Sequence, residues 1–264
     1  MRLPLFVSVA ARFLAHEPRR RDGARLAVAT IVLWARGRGG LRERPISLAA
    51  TAEGRRVSFT AWTYIDILVA REIFLDRDYR VPADLEARTI VDLGANTGIS
   101  VRFLRALYPS AEIVAAEPDP TNFERLEANT SGDESTRLVQ AAVGLESGRT
   151  PFYTEKEGWT SSLEPRPDSR SIDVDLVTVS DLIAHLAAGQ VDLLKVDIEG
   201  AEWPLLEEGA LQAASGCLIG ELHFGAGRTL ADAERFLAGF DVTFHRKNET
   251  VACFTALRRR APAR

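Results

Sequence analysis

Eight consecutive residues, Val91 to Gly98 (VDLGANTG), constrain the fold more than any other part of the 264-residue chain. The apolar pair Ile90 and Val91 runs into Asp92. A turn bearing Gly94 and Gly98 follows, and Ile99, Phe103 and Leu107 then recur at helical spacing. A buried strand, a tight turn and an amphipathic helix, in that order, open a nucleotide-binding α/β sheet. About 20 residues further on, Glu117 ends the next apolar run, where a carboxylate is placed to accept a ribose hydroxyl. Together these features predict a site for a nucleoside-containing cofactor.

The turn departs from the dinucleotide pattern G-x-G-x-x-G. It reads Gly94-Ala95-Asn96-Thr97-Gly98, with Asn96 where the second glycine would let the backbone approach a pyrophosphate. Asp92, two residues before Gly94, suits a ligand with a cationic amino-acid moiety better than one with a pyrophosphate. S-adenosylmethionine carries an ammonium, a carboxylate and an adenosine ribose, and fits Asp92, the loop and Glu117 together.

Strands and helices alternate beyond this point. The strand Glu112 to Glu117 leads to a helix with Asp119 as N-cap and Pro120 at its first position. Arg137 to Ala142, Val191 to Asp197 and Cys217 to His223 read as further strands, and Asp241 to Arg246 with Val251 to Leu257 as a closing hairpin. Such alternation predicts a mostly parallel sheet with right-handed crossovers. Residues 144–172, marked by Gly144, Gly148, Gly158, Pro165 and Pro167, interrupt it and are expected to form a long functional connection.

Four segments in order, VDLGANTG, EPDPTNFERLEAN (Glu117 to Asn129), DLLKVDIEGAEWPLL (Asp192 to Leu206) and ELH (Glu221 to His223), give a chain that resembles the FkbM family of S-adenosylmethionine-dependent methyltransferases over residues 61–257. The resemblance implies a Rossmann-like class I methyltransferase, with a seven-stranded, mostly parallel sheet ending in an antiparallel hairpin. It implies a methyltransferase domain over 61–264; residues 1 to about 45 carry no such resemblance, and 1–60 read from their own pattern as an accessory segment of basic helices and a short hairpin. The resemblance also implies methylation of a hydroxyl on a sugar or natural-product scaffold.

On this reading Asp92, Gly94, Ala95, Asn96 and Gly98 cradle the methionine portion and Glu117 holds the ribose. Pro118 and Asp119 flank ribose and adenine, Asp119 being also a helix cap. Gln140 and Ala141 end the third strand, where adenine is contacted. A hydroxyl acceptor needs a base, and His223, with Glu221 two residues before it, is the candidate because its ordinary pKa lies near working pH. His16 and His245 lie outside the set of strand ends, and His185 falls in a structural helix. Asp197 and Glu199 occupy the neighbouring strand end. They act on the cofactor amine or acceptor directly or, with Glu221, hold Mg²⁺; the metal-free reading is preferred. Trp159, Ser161 and Ser162 lie in the interrupting stretch and suit a sugar-like acceptor.

Charge is unevenly placed. Residues 1–44 hold ten arginines against Glu17, Asp22 and Glu43, a net of +7; the whole chain is −4, so the remainder carries −11. An acidic domain argues against nucleic-acid binding. The basic segment alternates with the apolar stretches Leu3 to Ala11 and Leu26 to Ala35, both short of the ~20 residues of a spanning helix. Peripheral contact with an anionic membrane is one expectation. Two helices packed on the domain, in a homodimer interface, is the other and the preferred one. Cys217 and Cys253, in apolar runs, read as reduced buried thiols and agree with a cytoplasmic setting. Two rivals remain open: an NAD-linked oxidoreductase and a non-catalytic cofactor-binding subunit.

Overall fold

The computed structural model describes residues 4–40, 44–154, 170–225 and 227–259. Two helices come first, α1 (Leu5–His16) and α2 (Arg20–Gly39), followed by a hairpin of β1 (Ile46–Ala52) and β2 (Arg55–Ala61). Glu53 and Gly54 both take positive φ at the hairpin turn, which matches its twist to that of the strands. Phe13, Leu26 and Leu33 from the helices and Leu48, Val57 and Phe59 from the hairpin share one apolar cluster with Ile90, Ile99 and Leu104. The N-terminal segment therefore completes the core on one face of the central sheet.

Next, α3 (Tyr64–Arg71) starts at a capping box in which Thr63 and Asp66 satisfy each other's backbone N–H. It continues into a π-helical turn over Glu72–Asp76, which Arg77 ends in a left-handed conformation. The alternating region follows: β3 (Thr89–Leu93), α4 (Ile99–Leu107), β4 (Glu112–Ala116), α5 (Pro120–Thr130) and β5 (Thr136–Val139). After β6 (Ala142–Gly144), β7 (Gly148–Thr154) and β8 (Arg170–Thr178) come α6 (Val179–Ile183), β9 (Leu193–Val196), α7 (Glu202–Glu207), α8 (Ala210–Ala214) and β10 (Cys217–His223). The described chain closes with α9 (Leu230–Phe236), β11 (Phe240–Arg246) and β12 (Val251–Arg258).

The main sheet has seven strands in the order β5-β4-β3-β9-β10-β12-β11. All its pairings are parallel except those of β12, which runs antiparallel to both β10 and β11. This is the expected α/β architecture of class I methyltransferases, including the terminal hairpin. Strand order reverses between β3 and β9, so their carboxyl ends open the crevice in which ligands of such sheets bind.

One expectation needs correcting. The flanks of the stretch expected to be a long connection form a second sheet, β6-β8-β7, in which β7 and β8 pair antiparallel from Gly148↔Leu176 to Thr154↔Arg170. In β8, Ile172, Val174 and Leu176 alternate with polar residues, and they pack with Ala142 and Phe152. Pro151 is tolerated because β7 is an edge strand. Trp159, Ser161 and Ser162 lie outside the described residues.

Candidate active site

The site is built on a buried ion pair. Parallel register sets Asp92 of β3 beside Lys195 of β9, and Asp92 Oδ1 lies 2.9 Å from Lys195 Nζ with both side chains excluded from solvent. Ser100 donates to the other carboxylate oxygen at 2.7 Å. Lys195 Nζ also donates to the carbonyls of Gly94 (2.6 Å) and Leu93 (3.3 Å). Burial works against the ammonium, but the charges of Asp92 and Asp197 outweigh it and raise the Lys195 pKa. Asp92 is thus turned inward beneath the glycine loop, which it holds in place through Lys195.

The loop over this pair satisfies itself. Gly94 and Ala95 donate their amides to Ala116 O, Asn96 to Glu117 Oε2 at 2.8 Å, Thr97 to Asn96 Oδ1 and Gly98 to Ala95 O. All five backbone amides are used internally, so a pyrophosphate would find no free backbone donor in this loop. Gly94 has φ of 77°, and a Cβ on it would overlap the carbonyl oxygen of Asp197. This glycine lets the loop close on the end of β9. Asn96 takes φ of 50°, a left-handed conformation its residue type tolerates, which is how it replaces a glycine.

Glu117, at the end of β4, accepts from Asn96 N at 2.8 Å and Asp119 N at 2.9 Å. Burial pushes its carboxyl up to about 7 against the pull of those two bonds. Each oxygen keeps a lone pair that can accept a ligand hydroxyl. Asp119 caps α5, accepting from Thr121 N and Asn122 N.

The second half of the site gathers at the ends of β9 and β10. Asp197 accepts from Tyr79 Oη at 2.6 Å. His223 donates from Nδ1 to Glu202 Oε1 at 2.9 Å, and its Nε2 lies 3.7 Å from Glu199 and 3.9 Å from Glu221. Glu202 is wholly buried at the start of α7 and also accepts from Ile198 N and Gly200 N. Glu199, with φ of 55°, holds a conformation rare for its residue type, beside Gly200. Burial lowers the His223 pKa, but the hydrogen bond to Glu202 and the charges of Glu202, Glu199 and Asp197 prevail and raise it to about 10. The expectation that His223 titrates near its ordinary value is therefore corrected: it is an imidazolium at neutral pH.

Glu221 also titrates above its ordinary range. Burial first, then the charge of Asp197, raise it to about 8 despite Lys247, whose Nζ lies 2.8 Å away. Lys247 also bridges Glu72 and Asp78, each at 3.1 Å. Ligand atoms of Asp197, Glu221 and His223 lie within 4.8 Å of one another and could hold a cation; Glu199, in the expected Mg²⁺ set, is replaced in this grouping by His223.

One cavity of about 690 Å³ joins both halves. Gly94, Ala95, Asn96, Glu117, Pro118 and Ala141 line one end, and Asp197, Glu199, Glu221 and His223 line the other. Asp92, Gly98, Asp119 and Gln140 are not on its wall; Gln140 is exposed, and Gly98 starts α4. Sequence reading missed Lys195, Glu202, Tyr79, Trp203 and Lys247. A lone lysine inside an apolar strand and an acid four residues after Ile198 were the available signals. Trp203 Nε1 donates to His223 O at 2.7 Å and its ring packs 5.8 Å from Phe224, fixing the end of β10.

Residues 92–244 match the model of the family described as the methyltransferase FkbM domain, more than half of the chain. The chain is 27% identical over 191 residues to the methyltransferase sdnD of Sordaria araneosa, covering 59% of this chain and 73% of that protein. It is 32% identical over 166 residues to the 31-O-demethyl-FK506 methyltransferase FkbM of Streptomyces tacrolimicus, covering 50% and 64%. The crystal structure of methyltransferase FkbM from Methylobacillus flagellatus KT superposes with a TM-score of 0.45 at 16% identity, over 95% of this chain and 57% of that one.

Proposed function

Because the chain belongs to the FkbM methyltransferase domain family, we propose that it is an S-adenosylmethionine-dependent O-methyltransferase acting on a hydroxyl of a sugar or natural-product scaffold. The single observation that carries this reading is the cavity, which joins a ribose-type carboxylate, Glu117, to a cluster of ionisable groups at two neighbouring strand ends. The relatives' names support the acceptor class: one acts on a demethylated FK506 oxygen, and another is named a 2-O-methyltransferase, NoeI of Sinorhizobium fredii.

The donor set fits the cofactor. Carboxylates outnumber cations around the cavity, with Glu72, Glu117, Asp197, Glu199 and Glu221 against Lys195, Lys247, Arg228 and His223, and Arg228 is paired with Glu207 outside the lining, which favours a ligand bearing a sulfonium and an ammonium. When bound, that group supplies an electrophilic methyl carbon. Glu117 would hold the ribose, Asn96 and the loop the methionine portion, and Asp197 the amine. The internally satisfied loop amides speak against the oxidoreductase reading.

The chain's own part in the chemistry is to position the acceptor and remove its proton. Among the groups at the acceptor end, Glu221, at about 8, has the pKa nearest working pH, which suits a general base. His223, clamped by Glu202, stays charged and stabilises the carboxylates that face its Nε2. The reading is metal-free, because Lys247 and His223 already supply positive charge to Glu221. Two buried free thiols fit a reducing, cytoplasmic setting, and no helix among the described residues is long and apolar enough to cross a membrane.

The test is the pH dependence of turnover on a hydroxylated acceptor. The wild type should gain activity as pH rises through about 8, and Glu221→Gln should lose that limb together with most of its turnover. A limb near 10 that disappears in His223→Gln instead would return the base to His223. Failure of S-adenosylmethionine to bind in calorimetry would remove the whole reading.

A further inference from the structure

We propose that the outer face of α2 docks on an anionic lipid surface. The residues of α2 that point away from the core are Arg21, Ala24, Arg25, Val28, Ile31, Ala35 and Arg38, a single stripe at helical spacing. Val28 is 62% exposed and Ile31 49%. With Leu5 and Leu14 of α1, they make four of the five exposed large apolar side chains among the described residues. The inner face, with Leu26, Ala29 and Leu33, is already in the core, so this helix is apolar on both sides.

Charge decides what could cover the outer side. The two acids of residues 4–40, Glu17 and Asp22, are both buried and engaged inward, Glu17 with Thr51 and Asp22 with Arg56. Among the described residues, no ion pair engages Arg21, Arg25 or Arg38. Arg25 donates to Ser47 O and feels the charge of Asp22, which Arg56 already pairs, and Arg38 lies over the Trp34 ring at 5.3 Å, so neither guanidinium has an acid in direct contact. A solvated face would mix signs, and a second copy related by a two-fold axis would set arginine against arginine with no acid to pair. An apolar stripe edged only by arginines matches an anionic membrane, whose headgroups take the guanidinium groups while Val28 and Ile31 enter the acyl boundary. Arg25 further borders an open cleft of about 370 Å³ with Arg56 and Arg102, concave enough for a headgroup phosphate. The inference is independent of the methyl-transfer reading.

Sedimentation with vesicles of equal phosphatidylglycerol and phosphatidylcholine, against phosphatidylcholine alone, tests it with the full chain. Binding is expected to the anionic vesicles only and to vanish near about 1 M salt, where the Debye length is about 3 Å. Arg21→Gln/Arg25→Gln/Arg38→Gln should weaken partitioning on the order of 100-fold, at about fivefold per surface arginine. Val28→Ser/Ile31→Ser should weaken it about tenfold or more. Thermal melts should be unchanged, because these side chains are exposed. Absence of binding, equal binding to neutral vesicles, or partitioning indifferent to both variants would overturn the proposal. So would a dimer in sedimentation equilibrium that Ile31→Glu dissociates while vesicles are ignored, which would assign the face to a second copy.

Discussion

Replacing Glu202 by Gln should convert His223 from a fixed imidazolium into an ordinary titrating histidine, and the structure sets the size of the effect. The His223 pKa moves from 6.5 to about 10 with Glu202 as the chief cause opposing burial, which corresponds to roughly 4–5 kcal/mol of pH-linked stability. A raised histidine pKa contributes fully below the unfolded value and is lost as pH rises, so this contribution is complete below 6.5 and gone above about 10. Glu221 titrates through about 8 in the same direction, since an acid with a raised pKa also loses folded-state stability as pH rises. The limb between 8 and 9 therefore belongs to His223; above 9 the buried thiols of Cys217 and Cys253, whose pKa burial raises, add a loss that wild type and variant share. Glutamine keeps an acceptor for Ile198 N but turns an NH₂ towards Gly200 N–H, a pH-independent loss of about 1–3 kcal/mol. Urea unfolding at several pH values should show a difference between variant and wild type that is largest in acid and narrows as pH approaches 10. Imidazole NMR should show the His223 pKa falling. Parallel stability curves across that window would refute the assignment of the clamp to Glu202.

The other tests bear on the cofactor end and its support. Wild-type affinity for S-adenosylmethionine should fall about tenfold per pH unit below about 7, as Glu117 is protonated and stops accepting ribose hydroxyls. Calorimetry on Glu117→Gln should give weak, pH-independent binding, and a flat wild-type profile would exclude Glu117 from the ribose. Lys195→Met leaves Asp92 buried without its cation and should cost about 3–5 kcal/mol, a melting drop of roughly 2–4 °C per kcal/mol. Adding Asp92→Asn should recover part of it, and a single variant that melts like wild type would show the pair to be dispensable. Turnover should survive EDTA; a loss restored by Mg²⁺ would assign the Asp197, Glu221 and His223 cluster to a metal.

Much of the fold was legible because it rests on local signals. The hydrophobic runs of β3, β4, β9 and β10 are buried on both faces and so read as continuous apolar strands. The caps at Asp119, Thr178 and Thr229 are visible as residue pairs at fixed spacing. The β7–β8 ribbon escaped because Gly148 and Pro151 obscure the alternation in β7, and because pairing two strands separated by 15 residues of chain is not a local property.

The site was legible in position but not in chemistry. Asp197, Glu199, Glu221 and His223 could each be placed at a strand end from the apolar runs before them, since a strand's end is a local feature; that the two strands are neighbours came from the fold the resemblance implies. What those groups do depends on neighbours brought in from elsewhere. Lys195 reaches Asp92 only through the β3–β9 register, and Glu202 meets His223 across 21 residues of chain. Lys247 arrives from the β11–β12 turn to sit 2.8 Å from Glu221. Each of these contacts moves a charge or a proton, and none leaves a trace in the spacing of the residues it perturbs. Histidine at a strand end suggested a base, yet the buried carboxylate behind it makes the same imidazole a held cation, which is why the base role is proposed for Glu221. For a site of this kind, a residue's type identifies who can titrate, and the tertiary neighbours decide at what pH.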